Sequence, residues 1–191
     1  LNFLAHQYLS FGEKAIIVGN FIADTVKGRQ IEDYPDDIQK GIRLHRMIDD
    51  FTDTHPLVLE TRKHLYPYFS KYAAVVQDVY YDHFLAIDWP QYHDMSLPDF
   101  AQSVYHTLNA SKMHMNERAA RTLHYMELQN WLAGYATTEG IDRTLKGMAS
   151  RARFASNMEH AIAPLNAHFH EMKSEFDAFF PELENAVRKA I

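Results

Sequence analysis

Histidine and aspartate gather in a few short stretches of the first half of this chain. His45, Asp49 and Asp53 recur at every fourth position, a spacing that puts all three side chains on one face of a helix. Asp78 and Asp82 repeat the spacing, with His83 directly after. Asn20 and Asp24 share it, and His6 stands in the otherwise apolar turn Phe3-Leu4-Ala5-His6. Imidazole and carboxylate projected from rigid helices are donors that hold a hydrolytic divalent metal. The His45 row also runs beside the apolar stripe of Ile38, Ile42, Leu44, Ile48 and Phe51. Charges at the edge of a buried stripe are costly unless they are paired or metal-bound.

Each stretch has a plainer reading. Arg43 and Arg46 with Asp49 and Asp50 would make a salt-bridge ladder, and Asn20 with Asp24 a capped or solvated helix end. His6 would be a satisfied core histidine. Arg46 is suited either to balancing the carboxylates or to binding a phosphate. In Gly147-Met148-Ala149-Ser150-Arg151-Ala152-Arg153, small residues would admit a ligand close to the helix, and Arg151 would grip phosphate oxygens as a fork. The alternative there is a basic helix end complementing the helix dipole. His168 and His170 point in different directions on a helix and are set aside. The chain has no Glu-x-x-His, P-loop, His-Glu-x-x-His or Gly-x-Ser-x-Gly motif, which weighs against di-iron, nucleotide-loop, zincin and serine-hydrolase chemistry.

The elements that must position these residues are helices. Apolar positions repeat with helical period and strand-like alternation is nearly absent. The pattern predicts helices over 1–10, 13–26, 35–54, 56–69, 72–87 and 97–110. Further helices are expected over 116–135 with a break near Glu127, over 141–152, over 154–179 with a bend at Pro164, and from Pro181 onward. Ser96-Leu97-Pro98-Asp99 reads as a helix start. With no repeat, linker or low-complexity segment, residues 1–191 are read as one all-α domain.

Composition narrows the class. The chain has 191 residues, of which 47% are hydrophobic, and carries no cysteine, so a thiolate zinc site and a cysteine nucleophile are excluded. The formal charge of −6 argues against broad nucleic-acid binding. No apolar run approaches the ~18 residues of a membrane span, and the opening residues are too polar for a signal peptide. A cytoplasmic protein with no membrane partner is the expectation.

Five ordered motifs carry a resemblance. Asn2-Phe3-Leu4-Ala5-His6, Gly19-Asn20-Phe21-Ile22-Ala23-Asp24, Gly41–Asp49 followed by Thr52-Asp53, Asp82-His83-Phe84-Leu85 and Gly147–Arg151 resemble the bacterial acyl carrier protein phosphodiesterase family. The likeness spans the chain and is loosest over 90–140. It implies hydrolysis of the phosphodiester that joins 4′-phosphopantetheine to a serine of holo-acyl carrier protein. It also implies a multi-helix bundle related to the HD phosphohydrolases, with Mn2+ or Mg2+ as the ion. The pair Asp82-His83 reverses the His-Asp order usual in HD enzymes.

On this reading His6, Asp24, His45, Asp49, Asp53, Asp82 and His83 converge on one or two ions. Arg46 and Arg151 offset phosphoryl charge, and Asn20 contacts substrate. The acidic carrier protein docks on Lys27, Arg29, Lys40 and Arg43. The rival readings are an HD-type enzyme for a nucleotide or other small phosphoester, and a helical protein that binds the carrier without cleaving it.

Overall fold

The computed structural model describes all of residues 1–191. It contains twelve α-helices and no strand. In chain order they are α1 (Phe3–Tyr8), α2 (Lys14–Ile22), α3 (Asp36–Thr54), α4 (Pro56–Phe69), α5 (Ala73–Ile87) and α6 (Trp89–Tyr92). Then come α7 (Leu97–Ala110), α8 (Glu117–Leu128), α9 (Trp131–Gly134), α10 (Thr138–Ala149), α11 (Ile162–Ala167) and α12 (Phe169–Ala190). The expected all-α class is therefore what the chain adopts.

One hydrophobic cluster runs from Leu1 to Val187. Helix α5 is its axis: Val76, Val79, Tyr80, Tyr81, Phe84 and Leu85 are fully buried, as expected of a helix apolar on every side. Each such side chain removed from water contributes roughly 1.5–3 kcal/mol. Around α5 stand α1, α4, α10 and α12, and α2 with α3 closes the side that carries the polar residues.

The contact between α2 and α3 is set by two glycines. Gly19 and Gly41 face each other: a Cβ on Gly19 would lie 2.2 Å from the Ile38 carbonyl oxygen, and one on Gly41 2.6 Å from that of Ile16. No larger residue fits, so the two backbones touch. Asn20 follows Gly19 directly, and His45 lies one turn beyond Gly41. The close approach thus brings these two side chains together.

Helix boundaries follow local chemistry. Asp36 and Asp37 occupy the first turn of α3, where the helix dipole favours negative charge. That helix ends at Thr54 because Pro56 opens α4, whose start is capped by the His55 ring accepting from the Leu57 N–H. The Ser96 hydroxyl accepts from the Asp99 N–H and caps α7, as expected. The break expected near Glu127 falls after Leu128, where Asn130 adopts a left-handed conformation with φ of 47°.

Some boundaries shift by a few residues, as where α2 ends at Ile22 instead of Val26 and α10 spans Thr138–Ala149 instead of 141–152; the largest departures lie near the C-terminus. Residues 154–157 are not helical, and α11 and α12 begin only at Ile162 and Phe169. Asn157, with φ of 57°, turns the chain. Pro181 lies inside α12 instead of opening a new helix. It removes one backbone hydrogen bond, but Phe176, Phe179, Phe180, Leu183 and Val187 are buried on either side of it. A shared core holds both halves on one axis.

Candidate active site and metal centre

A cavity of about 220 Å³ opens where α1, α2 and α3 meet, lined by His6, Asn20, Asp24, His45, Asp49 and Asp53 among others. His6 and His45 are buried there and their rings stack, with centroids 4.1 Å apart and planes 21° from parallel. Their Nδ1 atoms both lie 2.9 Å from Asn20 Oδ1.

The hydrogen bonds of Asn20 determine the imidazole tautomers. Its Nδ2 donates to the His6 carbonyl at 2.7 Å and to Ser10 Oγ at 3.1 Å. A carbonyl only accepts, so the amide cannot be reversed. Both rings must therefore donate Nδ1–H to Oδ1, and both Nε2 atoms face the cavity. His6 Nε2 is 3.2 Å from Asp49 Oδ1, and His45 Nε2 is 3.2 Å from Asp49 Oδ2. Asp24 reaches in from the cavity mouth, 3.4 Å from His45 Nε2.

Two neutral imidazoles so arranged would aim lone pairs at carboxylate lone pairs. Two imidazolium rings stacked at this distance would repel. Without an added cation, the site divides the difference. Burial, and then the charge on His45, hold His6 down to about 4. Burial opposes charge on His45 as well, but hydrogen bonds and charges from Asp24 and Asp49 prevail and lift it to about 9. Asp49 is held well below the usual carboxylate range, because contacts with His45 and His6 outweigh its burial. Asp24 is also lowered, chiefly by its hydrogen bond to His45.

His6, His45 and Asp49 bring one donor atom each within 4.8 Å of one another. These three, with Asp24 at the mouth, are the residues able to hold a metal ion. Asn20 is the partner behind them, orienting both rings as the second hydrogen bond of a ligating histidine does.

The other expected site residues lie elsewhere. Asp53 borders the cavity but is paired with Arg62 at 2.9 Å. Asp82 is fully buried, and its carboxylate accepts from the backbone N–H groups of Asn2 (3.1 Å), Leu4 (2.7 Å) and Ala5 (3.2 Å). It caps α1 from α5 and lies outside the ligand cluster. Burial pushes its carboxyl up to about 7, against the pull of the three N–H donors. His83, one position on, turns away from Asp82, and its Nδ1 donates to the Tyr135 carbonyl at 2.7 Å.

Arg46 is exposed and donates to the Val26 carbonyl, tying down the turn that bears Asp24. Arg43 bonds Gln39 and is exposed, as is Lys27. Arg151 lines a separate groove. Asn20 is 1% exposed and behind the imidazoles, so its expected substrate contact gives way to an orienting one. Asp78 also lines the cavity, and its carboxylate lies 2.7 Å from the Leu1 backbone nitrogen.

Asp82 sets the position of His6 by pinning the first turn of α1. Asp82→Asn keeps the shape but leaves fewer acceptors for three N–H groups, two of them buried. It is expected to cost about 2–3 kcal/mol, measurable by urea unfolding. A cost below ~0.5 kcal/mol would show that the cap contributes little.

Comparison with known proteins places the chain. The family model described as acyl carrier protein phosphodiesterase matches residues 1–183. A protein of that name from Photorhabdus laumondii is 32% identical over 185 residues, covering 95% of this chain and 92% of its own length. One from Yersinia pestis is 32% identical over 184 residues, with 96% and 95% covered. One from Escherichia coli is 32% identical over 193 residues and is aligned along the whole of both chains. No solved structure matches. Similarity of this extent, running through every segment that builds the cavity, means that the chain belongs to the acyl carrier protein phosphodiesterase family.

Proposed function

We propose that this protein hydrolyses the phosphodiester between 4′-phosphopantetheine and the serine of holo-acyl carrier protein, using a divalent cation held by His6, His45 and Asp49. Family membership supports the substrate and the bond. The observation that carries the metal is the pair of Nε2 atoms turned toward Asp49 by a shared Asn20 acceptor. A cation resolves the lone-pair conflict that a proton can relieve at only one ring. Two imidazoles with carboxylate oxygens favour manganese over magnesium, which prefers oxygen ligands and keeps its waters.

When bound, such a cation supplies Lewis acidity, acidifying water and screening the phosphodiester's negative charge. The chain contributes the rest. Asn20 fixes both imidazoles before substrate arrives, so no reorganisation is needed during reaction. Asp24, exposed at the mouth 3.4 Å from His45 Nε2, accepts the proton of the attacking water. Phe3 and Phe21 form the apolar part of the cavity wall and limit competing water. The serine oxygen leaves toward the open mouth, where solvent can protonate it.

Manganese should stabilise the fold, since the three donors converge only in the native state. At about one hundred times its dissociation constant an ion adds ~2.7 kcal/mol, or roughly 5–10 °C of Tm for a chain of this size. Thermal scans of chelated protein with and without Mn2+ check this, and superimposable curves would contradict the proposed site. The substrate assignment is tested by comparing kcat/KM on holo-carrier protein and on a small phosphodiester. A preference for the carrier of about 100-fold or more is expected from the added binding contacts. Equal rates would favour the small-phosphoester reading.

A further inference from the structure

A second groove, of about 450 Å³, lies between α8 and α10. Four arginines line it: Arg118 and Arg121 from α8, and Arg143 and Arg151 from α10 and the turn after it. No aspartate or glutamate lines it. In a chain of net charge −6 this segregation is unexpected for ordinary surface charge. All four side chains are exposed. None pairs with a carboxylate or donates to another group of the chain; the arginines that do are Arg43, Arg46, Arg62 and Arg188.

The groove adjoins the proposed metal centre. Phe3 lines both cavities, and its ring lies 5.9 Å from Trp131 on the groove side and 6.0 Å from Phe21 on the other. Anything seated between α8 and α10 is therefore one aromatic ridge away from His6, His45 and Asp49.

We infer that Arg118, Arg121, Arg143 and Arg151 dock a carboxylate-bearing helix of the carrier protein and so deliver its phosphodiester across Phe3. The inference rests on the reading that a carrier protein is the substrate. Spacing favours a protein helix over a small anion. Arg118 and Arg121 are one turn apart on α8, and Arg143 on α10 is separated along the groove from Arg151 in the turn that follows that helix. Cations spread along both sides of a groove match carboxylates on successive turns of a partner helix, whereas one phosphate would call for a converging fork. Cationic rims of this kind act mainly through encounter rate and salt dependence. The surface differs from the Lys27, Arg29, Lys40 and Arg43 cluster expected from sequence order, which does not line this groove.

The test uses apo-carrier protein, which lacks the pantetheine arm, titrated into three versions of the full chain. These are wild type, R121E/R143E, and the control K112E/K189E, which makes the same change in net charge away from the groove. The groove variant should weaken carrier affinity by about 10-fold or more and flatten its salt dependence, while the control loses less than about 3-fold. Inhibition of turnover by free 4′-phosphopantetheine should stay unchanged in the groove variant.

Equal losses in groove variant and control would overturn the inference, since net charge alone would then explain them. So would weaker phosphopantetheine inhibition with carrier affinity intact, which would make the arm the occupant. Tighter binding of a single-stranded oligonucleotide than of carrier protein would also overturn it. Wild-type protein that leaves holo-carrier uncleaved would instead remove the substrate reading beneath it.

Discussion

His45→Ala is expected to lower kcat/KM on holo-carrier protein by about 10³-fold, equivalent to ~4 kcal/mol of transition-state stabilisation. The residue offers the donor atom that faces both Asp24 and Asp49, so its loss removes a ligand and leaves two carboxylates without their shared partner. The fold should survive. His45 sits at the cavity wall, but Asp24 and Asp49 overcome its burial and raise it to about 9, so the chelated variant should still fold while melting below chelated wild type at neutral pH, the gap closing as pH rises through about 9. The manganese-induced rise in Tm should disappear. Asn20→Ala should act through the same ion more gently, weakening manganese affinity by about 10–100-fold, with activity largely recovered at high Mn2+. Activity retained by His45→Ala, or a collapse of its fold under chelation, would mean that the residue serves structure.

The second large effect concerns a residue that touches neither substrate nor metal. Gly19→Ala places a methyl 2.2 Å from the Ile38 carbonyl oxygen and 2.8 Å from Gly41 Cα. Both are backbone atoms and cannot rotate aside. Helices α2 and α3 must separate, which is expected to cost about 3 kcal/mol or more and lower Tm by about 10 °C. Separation also lengthens the Asn20–His45 hydrogen bond, so activity should fall beyond what the unfolded fraction explains. Gly147→Ala is the contrast: its new Cβ meets only the Arg151 guanidinium, no nearer than 3.8 Å, and the change should be tolerated. Differential scanning calorimetry of the pair checks both, and a Gly19→Ala melting temperature equal to wild type would contradict the packing account.

These two cases show what the sequence makes legible. The i,i+4 row of His45 and Asp49 reports a shared helix face, and both residues meet in the cavity. Asp53 continues the row, but α4 brings Arg62 beside it and claims its carboxylate. Helical spacing fixes direction from the axis; it does not tell which neighbouring helix will be met. Asp82 and His83 fail to join the cluster for a related reason. Adjacent residues diverge by about 100° on a helix, and the start of α1 is a set of free N–H donors that takes a carboxylate as readily as a metal does. Nothing in Asp82-His83 as a string announces that α1 begins beside it.

Asn20 was visible as a polar residue next to a glycine, yet its orienting role depends on two imidazoles arriving from separate helices. The signal lay in Gly19 and Gly41 together, each followed within a turn by a polar side chain. The fold itself was more accessible. Most helix limits follow from proline, glycine and capping residues, and the exceptions arise where burial overrides a local breaker, as at Pro181.

The central claim joins one metal site to one bond, and intact-mass spectrometry of the carrier protein tests both at once. Holo-carrier protein would be incubated with manganese-loaded wild type, chelated wild type and His45→Ala. The account predicts conversion to the apo mass by the loaded enzyme alone, with 4′-phosphopantetheine released. A carrier whose mass stays unchanged while manganese is demonstrably bound, or conversion that proceeds equally under chelation, would contradict it.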